Sequence, residues 1–199
     1  MRGRKSMDTI TLRFDELLEL IPKFNNNSKE SIVATAMSIA KAFESGRKVL
    51  ICGNGGSAAD SQHFAAEFVN IFSKEINRRA LPAMALSTDT SIITAIANDS
   101  SYEQVFARQV EAYAEPGDVV ITFTTSGSSQ NCINAVISAR AKGAKTIAFT
   151  CANADISKLV EISVEVPSTN TQHIQECHII AYHIIAELVE NQLFVERQR

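Results

Sequence analysis

The run Lys48-Val49-Leu50-Ile51-Cys52-Gly53-Asn54-Gly55-Gly56-Ser57-Ala58-Ala59-Asp60-Ser61-Gln62-His63-Phe64-Ala65-Ala66-Glu67 joins an apolar β-type segment to a glycine-rich turn and then to residues with helical spacing. A strand–turn–helix corner of this kind binds ligands, because the first N–H groups of a helix have no partners within it and face outward. His63 and Glu67 stand four residues apart, which puts them on one helix face. Their neighbours Ala58, Ala59, Phe64, Ala65, Ala66 and Phe68 are small or apolar. The spacing therefore predicts a mostly buried helix, where charged side chains need a partner or a chemical task. The bland alternative is an exposed i,i+4 pair, worth a few tenths of a kcal/mol.

Strand and helix signals alternate outward from this corner. Short continuous apolar runs predict strands at Lys48–Cys52, Pro82–Leu86, Val119–Phe123, Thr146–Thr150 and Ile162–Val166. Helical spacing predicts Ala58–Phe72, Ser91–Ala97, Tyr102–Tyr113, Ser129–Ala141, a short Ile156–Val160 and a long Gln172–Phe194. Two N-terminal helices, Thr9–Phe24 and Lys29–Glu44, are expected on either side of Asn25-Asn26-Asn27-Ser28, with Ser28 as an N-cap and Gly46 closing the second. This alternation with right-handed crossovers gives an α/β fold, a doubly wound parallel sheet. The whole chain, 1–199, reads as a single domain, with a helical segment of about 8–45 packing on an α/β core of 47–195. Ligands bind such sheets outside the carboxyl ends of the strands. Both glycine- and hydroxyl-rich loops fall there.

Composition narrows the function classes. With 45% hydrophobic and 21% charged residues the chain is an ordinary globular one. A net charge of −3, without a basic block past the first residues, argues against nucleic acid as a partner. No apolar run reaches membrane-spanning length. The basic start Met1–Met7 lacks the apolar stretch of a signal peptide and reads as a disordered arm or as sequence ahead of a start at Met7. Cys52, Cys132, Cys151 and Cys177 are scattered without a C-x-x-C pair, which fits buried thiols in a reducing cytoplasm. A cysteine nucleophile is the less economical use of them.

The second loop, Thr124-Thr125-Ser126-Gly127-Ser128-Ser129-Gln130-Asn131, places five hydroxyls around one glycine. Hydroxyls and a helix N-terminus suit a phosphate, with Gly127 expected to let backbone approach it. An N-cap alone would need only one or two of them. No Gly-Lys-Ser/Thr follows, so a nucleoside triphosphatase is not indicated. The first loop also satisfies the relaxed dinucleotide pattern G-x-G-x-x-A. The acidic residue that pattern requires is represented only by Asp89, which comes late, and the pattern leaves the hydroxyl loop and the His63–Glu67 pair unused.

Three of the four histidines, His173, His178 and His183, fall within eleven residues of the last helix. Gln175 and His183 are roughly 12 Å apart along the axis at ~1.5 Å per residue. One ion or one sugar carbon can hardly touch both from one helix. A shared site then implies two copies of the chain and an oligomer.

The motif Gly-Asn-Gly-Gly-Ser-Ala-Ala-Asp-x-Gln-His-x-Ala-x-Glu at Gly53–Glu67 resembles the phosphoheptose isomerases of the sugar isomerase (SIS) domain proteins. The similarity continues through Ala85-Leu86-Ser87-Thr88-Asp89-Thr90-Ser91, Ala95-Ile96-Ala97-Asn98-Asp99, Phe106-Ala107-Arg108-Gln109-Val110 and Gly117-Asp118-Val119. Thr125-Ser126-Gly127, Val166-Pro167-Ser168 and Ile174-Gln175-Glu176-x-His178 complete it. The resemblance implies a three-layer, flavodoxin-like SIS domain. It also implies interconversion of sedoheptulose 7-phosphate and D-glycero-D-manno-heptose 7-phosphate, on the way to lipopolysaccharide or capsule heptose. By resemblance, the protein is a cytoplasmic homotetramer with active sites between subunits, without nucleic acid or membrane partners. Glu67 and His183 match the acid/base pair, and are expected from neighbouring protomers. His63, Glu67, Gln175 and His183 match the ligands of a zinc ion, one per subunit. Ser57, Thr124, Thr125, Ser126 and Ser129 match phosphate and sugar contacts, and Asn54, Gly55, Gly56, Asp60, Asp89, Thr90 and Gln175 match the pocket lining. The phosphate loop departs from the family's common Ser-Thr-Ser-Gly-Lys/Asn-Ser-Pro-Asn, and Ala97 stands where most members have Gly. A different class, the non-catalytic SIS proteins that bind the bacterial replication initiator, shares Ala95–Asp99 and Leu193-Phe194 but lacks the catalytic glutamate and histidine.

Overall fold

A computed structural model of the chain describes residues 2–195, with side chains from Met7 onward. Five strands form one sheet: β1 (Val49–Gly53), β2 (Ala83–Ala85), β3 (Val119–Thr124), β4 (Lys145–Cys151) and β5 (Ile162–Val166). All neighbours are parallel, in the order β2-β1-β3-β4-β5. Every residue of β1 and β3 is buried, as continuous apolar runs demand when helices cover both faces.

Alternate side chains sort onto two faces. Val49, Ile51, Val119, Ile121, Phe123, Ile147 and Phe149 meet helices α1 (Arg2–Glu44), α2 (Gly56–Val69) and α6 (Thr171–Glu190). Leu50, Cys52, Val120 and Ala148 meet α4 (Ala107–Tyr113) and α5 (Gln130–Ala141). The expected three-layer, doubly wound architecture is the one observed. Helix α3 (Thr90–Asp99) buries none of its residues in the chain.

The break expected at Asn25–Ser28 does not occur, because α1 is one helix of 43 residues. Ser28 is not an N-cap: its hydroxyl, buried, donates to the Glu165 carbonyl at the end of β5, and Asn27 donates to the same carbonyl. Phe24 and Ile32 are buried on either side of it. Docking on the sheet thus outweighs the weak helical preference of three asparagines. Pro22 also lies inside this helix, without an N–H for the Leu18 carbonyl, on an exposed stretch where water can serve that group. The basic start, expected to be a disordered arm, lies in α1 from Arg2 onward.

Gly46 closes α1 as expected. Its φ is +68°, Arg47 N–H reaches back to the Ala42 carbonyl (2.8 Å) and Gly46 N–H to that of Phe43 (3.2 Å), a Schellman pair. The expected Tyr102–Tyr113 helix divides into a 3₁₀ turn, Tyr102–Gln104, and α4. Past Glu190 the chain continues as a π-type turn, Asn191–Val195. Among the described residues no helix is long and apolar enough to cross a membrane.

Candidate active site

The sheet order reverses between β1 and β3. From β1 the chain moves to β2 on one side, and from β3 to β4 on the other, so a crevice opens where the loops after β1 and β3 part. Helices α2 and α6 pack side by side on one face. Asp60 of α2 faces Gln175 of α6, and His63 faces Tyr182 and His183.

His63 Nε2 lies 2.9 Å from Glu67 Oε1, across one helical turn. His63 Nδ1 lies 2.8 Å from the Tyr182 hydroxyl. The His183 ring stands edge-on to both, with centroids 5.1 Å from His63 and 4.8 Å from Tyr182. One chain therefore brings Glu67 and His183 together, and the expectation that two protomers supply them is corrected. Parallel packing of α2 and α6 makes a second copy unnecessary for this pair. The helix is also less buried than expected: α2 buries Ser57, Asp60, Ser61, Phe64, Ala65 and Phe68, while the His63 side chain is 49% exposed and that of Glu67 17%.

Burial, with nearby His63, holds the His183 imidazole below the usual histidine range, and Glu67 pulls the other way. His183 is thus a neutral imidazole near pH 7, fit to ligate or to exchange a proton. Asp60 is buried, and desolvation pushes its carboxyl up to about 6 against the pull of the Gln175 amide and of His63. Deeper in, His178 is fully buried against Phe123 and Phe149, with Nδ1 unpartnered. Burial lowers it to about 4, and the Thr150 carbonyl at Nε2 opposes that.

Donor atoms of His63, Glu67 and His183 all lie within 4.8 Å of one another. Two imidazoles and a carboxylate are a zinc-type donor set, and ligands around tetrahedral zinc sit roughly 3.4 Å apart, so only a small contraction separates this set from a zinc shell. The residues fit the ion. Gln175 points to the glycine-rich turn. Its amide nitrogen donates to Asp60 Oδ2 (3.0 Å), and a Cβ on Gly56 would come within 2.5 Å of its Oε1. A side chain at Gly56 would therefore displace the Gln175 amide from this position. Gly55 needs its hydrogen for a φ of +57°.

In the hydroxyl loop, Thr124 Oγ1 accepts from Gly127 N–H (3.1 Å) and bonds Ser129 Oγ (3.1 Å), while Ser126 Oγ accepts from Ser128 N–H (3.3 Å). Gly127 has a packing reason to be glycine besides the expected one. Its φ is +69°, and a Cβ there would meet Ala154 Cβ at 2.2 Å, so the bare glycine lets the turn pack on that alanine. Ser129 is the α5 N-cap and makes no side-chain capping bond. The Gln130 and Asn131 N–H groups have no acceptor among the described residues, which leaves an anion-ready helix end beside Ser126 and the half-buried Thr125.

Other expected residues are committed locally. Asn54 exchanges amide hydrogen bonds with Asn131 (2.8 Å each way) and accepts from Tyr102 Oη (3.1 Å), tying the glycine turn to α5. Asp89 caps α3 through Ile92 N–H (2.9 Å), with Thr90 next to it, both exposed beyond β2. Ser57 is buried in the first turn of α2.

Sequence reasoning passed over Tyr182 and a buried ion pair. Arg78 Nε bonds Glu190 Oε1, with side chains 0% and 1% exposed. Arg78 also donates to the carbonyls of Glu67 (2.7 Å) and Phe68 (2.9 Å), and Glu190 accepts from the Phe72 and Ser73 N–H groups (3.0 Å each). This pair pins the end of α2, where Glu67 sits, to the end of α6. Nothing in the polar stretch Ser73–Arg79 marks Arg78 as buried.

Residues 14–151 match the family model described as SIS domain. The chain is 53% identical to the phosphoheptose isomerase of Roseiflexus sp. (strain RS-1) over 166 residues, 83% of each protein. It is 50% identical to that of Aquifex aeolicus over 181 residues, 90% of this chain and 94% of that one. Its fold matches a phosphoheptose isomerase structure from Francisella tularensis with a TM-score of 0.89 and 34% identity, over 94% of this chain and 98% of the other.

Proposed function

This chain belongs to the SIS domain family and, within it, to the phosphoheptose isomerases, and from that premise we propose that it converts D-sedoheptulose 7-phosphate to D-glycero-D-manno-heptose 7-phosphate. The observation that carries the assignment is the convergence of His63, Glu67 and His183 beside the switch-point crevice. An aldose–ketose isomerase moves a proton between adjacent carbons through an enediol(ate). Glu67 takes the carbon proton, and the neutral His183 exchanges one with the oxygens. Each such group supplies about 10²–10⁴-fold.

The 7-phosphate is received by Ser57, Thr124, Thr125, Ser126 and Ser129 with the free N–H groups of Gln130 and Asn131. Asn54, Gly55, Gly56, Asp60, Asp89, Thr90 and Gln175 shape the pocket. His63, Glu67 and His183, with Gln175 of a second copy of the chain as the fourth ligand, would hold a Zn²⁺, which when bound polarises the carbonyl as a Lewis acid. The protein works as a cytoplasmic homotetramer with its active sites at subunit interfaces, and feeds lipopolysaccharide or capsule heptose. Support for assembly comes from the exposed apolar side chains of α1, among them Met7, Ile10, Phe14 and Leu18, and from the uncovered α3. The four free thiols agree with a reducing compartment.

The test is incubation of the purified protein with sedoheptulose 7-phosphate, with and without chelator, followed by NMR for the aldose. Glu67→Gln is expected to lower turnover at least ~10²-fold with the oligomer intact. Full activity of that variant would overturn the assigned base, and absence of aldose from the wild type would overturn the reaction.

A further inference from the structure

Tyr182 packs as a core residue on every side but one. Its ring is wholly buried, stacked on Phe64 with centroids 5.2 Å apart, and edge-on to Phe123 at 6.1 Å. Phenylalanine would satisfy all of that. What phenylalanine lacks is the hydroxyl, and a buried hydroxyl is unfavourable unless it is hydrogen-bonded. Among the described residues its hydrogen-bond partner is His63 Nδ1, at 2.8 Å.

The chemistry of that contact is set by the far side of the imidazole. Glu67 as a carboxylate only accepts, so Nε2 at 2.9 Å carries the proton, and in the neutral ring Nδ1 holds the lone pair. Tyr182 O–H then donates to Nδ1. If Nε2 instead gives its lone pair to a metal, Nδ1 carries the proton, and the same hydroxyl oxygen accepts it. A carbonyl or a carboxylate could serve only the second arrangement.

We propose that Tyr182 is a positioning residue for His63: its hydroxyl fixes the plane of the imidazole and pairs with Nδ1 in whichever tautomer the site requires. In a ring that is half exposed, this contact and Glu67 are what restrain rotation. The consequence for turnover rests on the isomerase assignment, whereas the consequence for the imidazole itself does not.

The test is Tyr182→Phe, which keeps the ring and removes only the hydroxyl. ¹⁵N NMR of the histidines in metal-free protein at pH 8 is expected to show His63 as the Nε2–H tautomer in both wild type and variant, since Glu67 is kept, with the Nδ1 resonance moving in Tyr182→Phe to that of an unbonded lone pair. Zinc affinity, titrated against a competing chelator, is expected to fall about 10–100-fold, as for other lost partners of metal-ligating histidines. kcat is expected to fall with KM little changed, while circular dichroism stays that of the wild type. An Nδ1 resonance and a zinc affinity unchanged in the variant would overturn the proposal even if the protein turns over heptose phosphate. Shifts in both with an inactive wild type would support it and sink the isomerase assignment instead. Should the variant fail to fold, the wild-type Nδ1 resonance decides: a hydrogen-bonded position supports the proposal, and that of an unbonded lone pair overturns it.

Discussion

The two faces of the sheet are made of different materials. Against α1, α2 and α6 lie rings: Phe43, Phe64, Phe68, Phe123, Phe149 and Tyr182 are all fully buried. Ionisable groups are set among or beside them, namely His178, the Arg78–Glu190 pair and the His63–Glu67–His183 cluster. Against α4 and α5 the core is mostly small and aliphatic, with Leu50, Val120, Ala135, Val136, Ala139 and Ala148. Rings have few torsions and interlock edge to face, so they form stiff walls. A site built from converging side chains needs such walls. The other face has only to hold the loops after β1 and β3 in register, and simple hydrocarbon does that. Polar groups buried on the ring-lined face should therefore make its stability sensitive to charge, and the aliphatic face should be indifferent to it.

The severest way to break that contrast is Glu190→Ala, which leaves the Arg78 guanidinium buried and uncompensated. We expect a loss of about 3–5 kcal/mol, read as a large drop in melting temperature. A loss under about 1 kcal/mol would show that this pair is dispensable.

His178 gives the next effect. Burial depresses its folded-state pKa to about 4, so the contribution is complete above the unfolded value near 6.5 and is lost as pH falls from there to about 4. The loss is on the order of 3 kcal/mol. Denaturant unfolding across that window should show the slope in the wild type, and His178→Gln should flatten it. An unchanged slope would place the acid sensitivity elsewhere.

On the opposite face, Val136→Ala removes two methyl groups from a fully buried site of α5. About 2 kcal/mol should be lost by the cavity mechanism. The same loss is expected at pH 5 and pH 8, and a pH-dependent one would erase the distinction between the faces.

Most of the sheet was legible because continuous apolar runs between turn residues leave few other structures available. The two loops at its carboxyl edge followed from the parallel order. What escaped was long-range. Asn25–Ser28 looks like a break until β5 supplies a carbonyl for Ser28, and no local signal announces Glu165. His63 and His183 were singled out separately, but their meeting within one chain depends on how α2 lies against α6, across more than a hundred residues. Tyr182, next to His183, drew no reading from the sequence, and its hydroxyl gained meaning only opposite His63. Gly127 was chosen as a special position, and the loop alone gave no sign that Ala154 packs on it.

At 43 residues, α1 is roughly 65 Å long at ~1.5 Å per residue, more than twice the length of a 20-residue helix such as α6. Toward the amino end Glu16 bonds His173 Nε2 (2.9 Å), and between Met7 and Phe14 every side chain is exposed. That stretch is a boom with backbone bonds along its axis and no buried side chain along its length. Helices this short are marginal alone in water. In a dilute solution of single chains its amides should therefore exchange with deuterium first, and shortening the boom ahead of Asp15 should leave the sheet beneath as firm as before.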